Sequence, residues 1–266
     1  MTAPARPSWG DAQDLIDVLD VRPDGAGGFT SVVRGHDDQR SVVEGSQLLG
    51  QAIVAAGRSA PDRRVVSASM VFVRAGDASR PLHLALDELS AGRTMTAFAV
   101  DVDQASRRLA HGTLLLDVTA PDVIRHAAEA PAVAGPEASE TFDMGVVGRE
   151  IRIVDGAYTG DPGAPLGPPV LDAWVRFASV PDDPPLHAGL LAQLTGHLSI
   201  AAALRPHPGV GQDQAHRTLS TAAADGMTHS ECRVHDEEGA LLASFTTDCM
   251  VRAFASGTVG DERTSL

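Results

Sequence analysis

The chain has 266 residues, a formal net charge of −14 and 43% hydrophobic residues, which is enough to enclose one large core or two smaller ones. The charge argues against nucleic acid and anionic membranes as partners, because neither is attracted to an acidic surface. Cys232 and Cys249, the only cysteines, lack a zinc-ligand spacing, and no histidine pair has metal-ligand spacing. The first ten residues contain no apolar signal segment, so we expect a cytoplasmic protein. We also expect no metal and no cofactor.

The first part of the chain predicts one helix followed by a sheet. After a short segment at residues 11–21 and a strand at 28–34, residues 50–58 read GQAIVAAGR, an apolar run with few polar positions that we expect to be buried. Ser46 is the expected N-cap and Gly57 the expected C-terminal stop. Short turns then separate four strand patterns, which favours antiparallel pairing; they lie at residues 65–74, 82–89, 95–102 and 109–118.

The second part repeats this order after a linker. Residues 119–148 are rich in Pro, Ala, Gly and Glu, as is typical of a linker. Two strands are expected at 149–154 and 172–178, and a second buried helix from about 186 to 204 begins after Asp183 and ends before Pro206. Three strand patterns follow the second helix, at residues 215–221, 227–234 and 241–252.

Two matches indicate that the second part is a shorter copy of the first. Residues 197–205, HLSIAAALR, align with GQAIVAAGR, and residues 227–250 align without a gap on 95–118. Arg58 and Met95 are 95 − 58 = 37 positions apart, but Arg205 and Met227 are 227 − 205 = 22 apart. The second copy therefore lacks about one strand. We expect its sheet to be open near residues 218–226, with the edge shielded by self-association or by a loop at Ala222–Gly226.

The order of these motifs resembles the acyl-CoA thioesterase II family, whose chains carry two hot-dog domains. The residues that carry the resemblance are the helix-opening segment Gly45–Ile53, Arg74-Ala75-Gly76-Asp77 after the first long strand, Asp122-Val123-Ile124-Arg125-His126, and Arg205-Pro206-His207. The resemblance implies an α+β double hot-dog in which each antiparallel sheet wraps a central helix. The expected domains are 11–118 and 149–254, the second about one strand short, with 119–148 as the linker.

The family's catalytic residues are poorly matched. It activates a water with an Asp, a Ser or Thr and a Gln; the aligned positions are Gly196 for the Asp, Ser220 or Thr221 for the hydroxyl, and Thr247 for the Gln. His197, next to Gly196, is a candidate base, since histidine titrates near neutral pH, although a lone histidine in a buried helix is more often a hydrogen-bonded core residue. Strand alternation should direct Asp248 away from Thr247.

Four residues near the first helix are candidates for substrate binding. Gly45, Ser46 and Gln47 at the helix start offer backbone N–H groups for a thioester carbonyl or a phosphate, or simply form a capped helix. Arg58 heads an arginine cluster that could hold an anionic group or lie on a solvated face.

Two interpretations of function stay open. In the first, the chain is a hydrolase of lipid metabolism that cleaves fatty acyl-CoA to the free acid and CoA, as a homo-oligomer. In the second, it is a catalytically silent double hot-dog that binds acyl-CoA or a protein partner. A hydratase is less well supported, because no Asp/His motif of the hydratase type is present, and there is no Gly-x-Ser-x-Gly elbow or dinucleotide fingerprint.

Overall fold

The computed structural model describes residues 10–32, 42–143, 145–156, 166–196, 198–207 and 219–250. Four α-helices are present in this part of the chain: α1 (Ala12–Leu19), α2 (Gly45–Ser59), α3 (Pro184–Ala192) and α4 (Ser199–Leu204). The strands are β1 (Arg22–Pro23), β2 (Phe29–Thr30), β3 (Val42–Val43), β4 (Arg64–Phe72), β5 (Gly76–Asp77), β6 (His83–Ala91), β7 (Met95–Gln104), β8 (Arg107–Asp117), β9 (Glu140–Thr141), β10 (Arg149–Ile153), β11 (Ala173–Phe177), β12 (Leu219–Ala224), β13 (Met227–His235) and β14 (Leu241–Met250).

The chain divides into two compact units. The first comprises Met1–Pro121, Gly145–Arg149 and Phe177–Leu194, and the second comprises Asp122–Met144, Glu150–Arg176 and Thr195–Leu266. The second helix predicted from the sequence thus contributes α3 to the first unit and α4 to the second. The domain limits 11–118 and 149–254 and the linker 119–148 remain a prediction.

In the first unit an antiparallel sheet packs around α2. Its strand order is β1-β2-β6-β7-β8-β4, and a separate pair is formed by β3 and β5. β7 shows why this sequence makes a half-buried strand: its polar and apolar residues alternate, and Thr96, Phe98, Val100 and Val102 are buried toward the helix. The apolar stretch Ala52–Ala56 of α2 is buried in the same core. The predicted buried helix and its antiparallel sheet are confirmed.

The limits of α2 differ from those predicted. Its N-cap is Glu44 rather than Ser46, whose hydroxyl lies 3.3 Å from a Glu44 carboxylate oxygen. The helix also passes Gly57 and ends at Ser59. Gly57 continues the helix because it packs closely: a Cβ there would lie 2.9 Å from the Pro185 ring on α3. Here tertiary packing overrides the helix-ending tendency of glycine.

The second helix is broken where the sequence predicted a continuous one from 186 to 204. After α3, which begins behind Asp183 and two prolines as predicted, the chain forms a 3₁₀ turn at Gln193–Gly196. Leu198 then adopts φ 74°, a left-handed conformation that no helix interior contains. Thr195 and Gly196 are weak helix formers, which explains why the break occurs here.

Two small antiparallel sheets lie in the described part of the second unit. One has the order β11-β10-β9, and the other is the meander β12-β13-β14, against which α4 packs. In the described part of the chain three strands follow α4, whereas four long strands follow α2; that the second repeat is about one strand short remains a prediction. The predicted loop at Ala222–Gly226 is wrong, because Ala222–Ala224 belong to β12 and only Asp225 and Gly226 form the turn. None of the described helices has the length and apolar composition needed to cross a bilayer.

Candidate active site

The β13–β14 hairpin presents a row of hydroxyl and thiol groups on one face. Ser230 is the direct cross-strand partner of Thr247, and Thr228 is the partner of Cys249. Ser230 is 1% exposed and Thr228 is 5% exposed, while Thr247 and Cys249 are half-buried. The alternate residues of these strands, such as Asp248, face outward and are exposed, as predicted for Asp248. The polar row therefore lies on the inner face of this sheet.

The β7–β8 hairpin provides an internal reference for these positions. Each hairpin has one bulged residue in its second strand. In the first hairpin it is Leu109, which lies between the pairs Val102–Ala110 and Asp103–Arg108; in the second hairpin it is Leu242. When the two bulged residues are aligned, each residue of β7 corresponds to the residue 234 − 102 = 132 positions later in β13. Each residue of β8 corresponds to the residue 243 − 110 = 133 positions later in β14. The gapless match predicted from the sequence, which set Leu109 on Leu241, is therefore wrong by one residue in the second strand.

The corrected register shows what is special about the second hairpin. Ser230 and Thr247 occupy the positions of Phe98 and Leu114, a cross-strand pair in the core of the first unit. Cys249 likewise occupies the position of buried Leu116, whereas Thr228 corresponds to Thr96, which is also a buried threonine. Large apolar core residues in one copy have thus become small polar residues in the other. Such a change gives the inner face of the second sheet hydrogen-bonding groups in place of apolar side chains.

Two hydroxyls in the polar row have unused hydrogen-bonding capacity. The Oγ1 atoms of Thr228 and Thr247 are buried, and among the described residues neither makes an ordinary hydrogen bond; the Cys249 thiol, a weak partner, interacts with Thr228. A buried hydroxyl without a good partner is costly, so each of these two hydroxyls can take a further polar partner. The row contains the predicted site residue Thr247 and adds Thr228 and Ser230, which the sequence analysis did not single out although it aligned β13 correctly on β7.

The thiol of Cys249 lies in the same row but is not a nucleophile. Burial raises the pKa of this thiol, and the neighbouring Asp248 carboxylate raises it further, while the Thr228 hydroxyl acts in the opposite direction. A thiol with a raised pKa is protonated near neutral pH, and the thiolate is the reactive form. Cys249 therefore offers the site a small neutral surface rather than covalent chemistry.

The other predicted catalytic positions are only partly described. Gly196 ends the 3₁₀ turn before α4 and is exposed, so the family's Asp position carries no side chain here. His197 lies outside the described residues, and only the backbone of Thr221 is described, within β12. Ser230 and Ser220 are cross-strand partners, so β12 places its backbone beside the polar row. The roles of His197, Thr221 and Thr247 remain predictions.

The start of α2 contains the predicted substrate-binding residues together with two charges that the sequence did not reveal. Gly45 begins the helix, and Ser46 and Gln47 are buried in its first turn. Arg149 is also buried; burial lowers the pKa of its guanidinium to about 10, and the Glu44 carboxylate opposes the shift. Because Glu44 places a carboxylate at this helix end, a neutral thioester carbonyl is a better ligand there than a phosphate. The sequence did not indicate that Arg149 is buried, since a lone arginine in a strand pattern is ordinarily exposed.

Arg58 joins three segments of the first unit. Its guanidinium donates to Asp20 Oδ1 and the Val21 carbonyl, both at 2.6 Å, and to Asp183 Oδ2 at 2.8 Å. These contacts connect α2 to the end of α1 and to the N-cap of α3. Arg58 thus has a structural function in the fold, and its contact with substrate remains a prediction.

Comparison with known proteins shows which proteins this chain resembles. Residues 33–117 match the model of the acyl-CoA thioesterase N-terminal domain family. The resemblance to the acyl-CoA thioesterase II family is confirmed. A search of curated proteins gives no significant match.

Several solved structures share the double hot-dog fold. The tesB protein of Mycobacterium avium subsp. paratuberculosis superimposes with a TM-score of 0.71 and 21% identity, covering 89% of this chain and 97% of that one. The acyl-CoA thioesterase II TesB2 of Mycobacterium marinum gives 0.71 and 21%, covering 92% and 99%. A protein of unknown function with a hot dog fold from Alicyclobacillus acidocaldarius gives 0.69 and 14%, covering 91% and 98%. At these identities the structures establish the fold, and the fold class predicted from the sequence is confirmed.

Proposed function

We propose that this protein is an acyl-CoA thioesterase that hydrolyses fatty acyl-CoA to the free acid and CoA. The observation that carries the proposal is the replacement of the core pair Phe98 and Leu114 by Ser230 and Thr247 in the second hairpin. A chain with a thioesterase-family domain at residues 33–117 has thereby placed polar groups on the inner face of its other sheet. We further propose that it acts in the cytoplasm, in lipid metabolism, as a homo-oligomer.

The inner face of the second sheet suits a thioester with an apolar tail. Ala243 and Phe245 of β14 lie on the same face as Thr247 and are only half-buried, whereas the residues of β8 that face α2 are fully buried. An acyl chain lying along these two residues would cover their exposed apolar surface. Its carbonyl would then lie beside Thr247.

In the proposed reaction a water attacks the thioester carbonyl carbon, the C–S bond breaks, and the CoA thiolate takes up a proton. The Thr247 hydroxyl donates a hydrogen bond to the carbonyl oxygen, on which negative charge develops, or orients the water. His197 is the proposed acceptor of the proton from water, and Thr221 the proposed second hydroxyl. Gly45, Ser46, Gln47 and Arg58 are proposed as substrate-binding residues.

A catalytically silent acyl-CoA-binding protein is the second candidate. The specific observation in its favour is Gly196, which leaves the family's Asp position without a carboxylate. A chain that had lost the group activating its water could still bind a thioester through Thr247 and the apolar residues of β14. The two candidates differ only in turnover.

Incubation of the purified protein with acyl-CoAs from acetyl to palmitoyl, with free CoA quantified by chromatography, tests the proposal. Turnover of order 1 s⁻¹ or faster that depends on chain length supports the thioesterase. Calorimetric binding of the same acyl-CoAs without release of CoA supports the silent protein. Absence of both binding and turnover across the panel contradicts both candidates.

A further inference from the structure

The hydroxyl of Thr228 lies close to Thr247, beside which the thioester carbonyl is proposed to bind. On this face the Ser230–Thr247 pair lies between Phe245 on one side and Thr228 on the other. Along the strands, therefore, the proposed acyl chain extends from Thr247 in one direction and Thr228 lies in the other. Its Oγ1 is buried, and among the described residues it makes no ordinary hydrogen bond beyond its weak interaction with the Cys249 thiol. Two residues of strand separate the Thr228–Cys249 pair from the Ser230–Thr247 pair, a distance of roughly 7 Å.

We propose that Thr228 binds the amide of the pantetheine arm of coenzyme A that is nearest to the thioester. The inference rests on the proposed function, in that the thioester carbonyl is placed at Thr247. In coenzyme A two methylene groups separate the sulfur from this amide. An extended arm of that length spans about the two-residue repeat of a strand. A hydroxyl can donate to the amide carbonyl or accept from the amide N–H, so Thr228 fits either orientation.

The residues around Thr228 are consistent with a neutral polar ligand rather than a charged one. Its neighbours on this face are Ser230 and Cys249, and the thiol of Cys249 is neutral because burial and Asp248 raise its pKa. The Asp248 side chain itself faces outward and approaches His229, with 2.6 Å between Oδ1 and Nδ1. An amide is neutral and requires only hydrogen bonds, which this group of side chains can supply.

A bound water is the simplest competing occupant of the same position. Water would satisfy Thr228 and Thr247 without any recognition of the pantetheine arm. The two explanations differ in one respect: only the pantetheine site makes affinity depend on an amide in the ligand.

Two non-hydrolysable ketones separate these explanations. Both carry a hexanoyl group with a methylene in place of the thioester sulfur; one continues as the N-acetylated arm of N-acetylcysteamine, and the other replaces the amide with methylenes. We expect calorimetry to show about fivefold tighter binding of the amide ketone by the unchanged protein, the effect of one hydrogen bond. Thr228→Val should abolish this preference, and Thr228→Ser, which retains the hydroxyl, should keep it.

Thr246→Val is the matched control, since Thr246 lies on the exposed face of β14. It should preserve the preference. Equal affinity of the unchanged protein for the two ketones, failure to bind either, or an unchanged preference in a folded Thr228→Val variant would each overturn the proposal. A preserved amide preference in a protein that releases no CoA would refute hydrolysis alone and leave the pantetheine site standing.

Discussion

Ser230 and Thr247 face each other across β13 and β14 at the position where β7 and β8 place Phe98 and Leu114. The first pair contributes to the core of its unit, with 5% and 3% exposure. The duplicated hairpin has therefore kept its register while exchanging apolar packing for hydroxyl groups. Such an exchange lowers the apolar area buried, and a ligand that uses the hydroxyls would offset that loss.

Thr247→Val should separate stability from activity. Because Thr247 Oγ1 is buried without a hydrogen-bond partner among the described residues, replacing the hydroxyl by a methyl should leave the free energy of unfolding unchanged or raise it by up to about 1 kcal/mol. If the hydroxyl stabilises the oxyanion, turnover of acyl-CoA should fall about 10²-fold or more. Thermal unfolding and CoA release measure the two effects. Loss of stability together with unchanged turnover would assign Thr247 a packing function only.

The sequence predicted the two strands of this hairpin but not the correct alignment of β14 with β8. β13 and β14 lie within one or two residues of their predicted limits, because turn residues and alternating patterns mark strands locally. The register was missed because the second hairpin places one more residue before its bulge, and a slip of one residue exchanges the two faces of a strand. The match had already aligned Thr228 and Ser230 correctly on Thr96 and Phe98; it missed that Thr247 and Cys249 replace Leu114 and Leu116, because the sequence does not mark the bulges.

The helices show the same division between local and tertiary information. Asp183 and the two following prolines marked the start of α3 correctly. The break at Leu198 was missed, because a left-handed leucine has no sequence signature and is held by its surroundings. Gly57 was misread as a stop for the related reason that its close contact with Pro185 is visible only in three dimensions.

Gly50 and Gly189 bring the backbones of α2 and α3 into contact. A Cβ on Gly50 would lie 2.9 Å from the Gly189 carbonyl oxygen and 2.7 Å from Leu19 Cδ2; one on Gly189 would lie 2.9 Å from Val54 Cγ2. Gly50→Ala and Gly189→Ala should each destabilise the fold by about 1–3 kcal/mol, since the helices must separate. Denaturant unfolding measures this effect. Gly135→Ala, where no atom lies within 4 Å of the added Cβ, is the control and should be nearly neutral.

Arg58→Met should reveal whether Arg58 supports the fold, the substrate or both. The side chain retains similar length but loses its hydrogen bonds to Asp20 and Asp183, which are about one-third exposed. After allowance for solvent screening we expect a loss of about 1–2 kcal/mol that diminishes in high salt. Steady-state kinetics provide the second readout. A KM for acyl-CoA that stays constant in the folded variant limits Arg58 to structure, whereas a rise in KM supports the predicted substrate contact.

Cys249 should make stability depend on pH in the alkaline range. Its thiol pKa is raised above the ordinary value of 9.0 in the folded protein, chiefly by burial and also by Asp248. Above about pH 9 the unfolded chain therefore releases this proton more readily than the folded chain does, so stability is complete below that pH and decreases as the pH rises toward the folded pKa. Cys249→Ala should remove this part of the alkaline loss, whereas Cys232→Ala, which changes the other half-buried cysteine, should retain it. Urea unfolding of the three proteins between pH 7 and about 10.5 measures the difference. If all three curves have the same slope above pH 9, the thiol is not desolvated in solution, and the inner face around Thr228 is open to water.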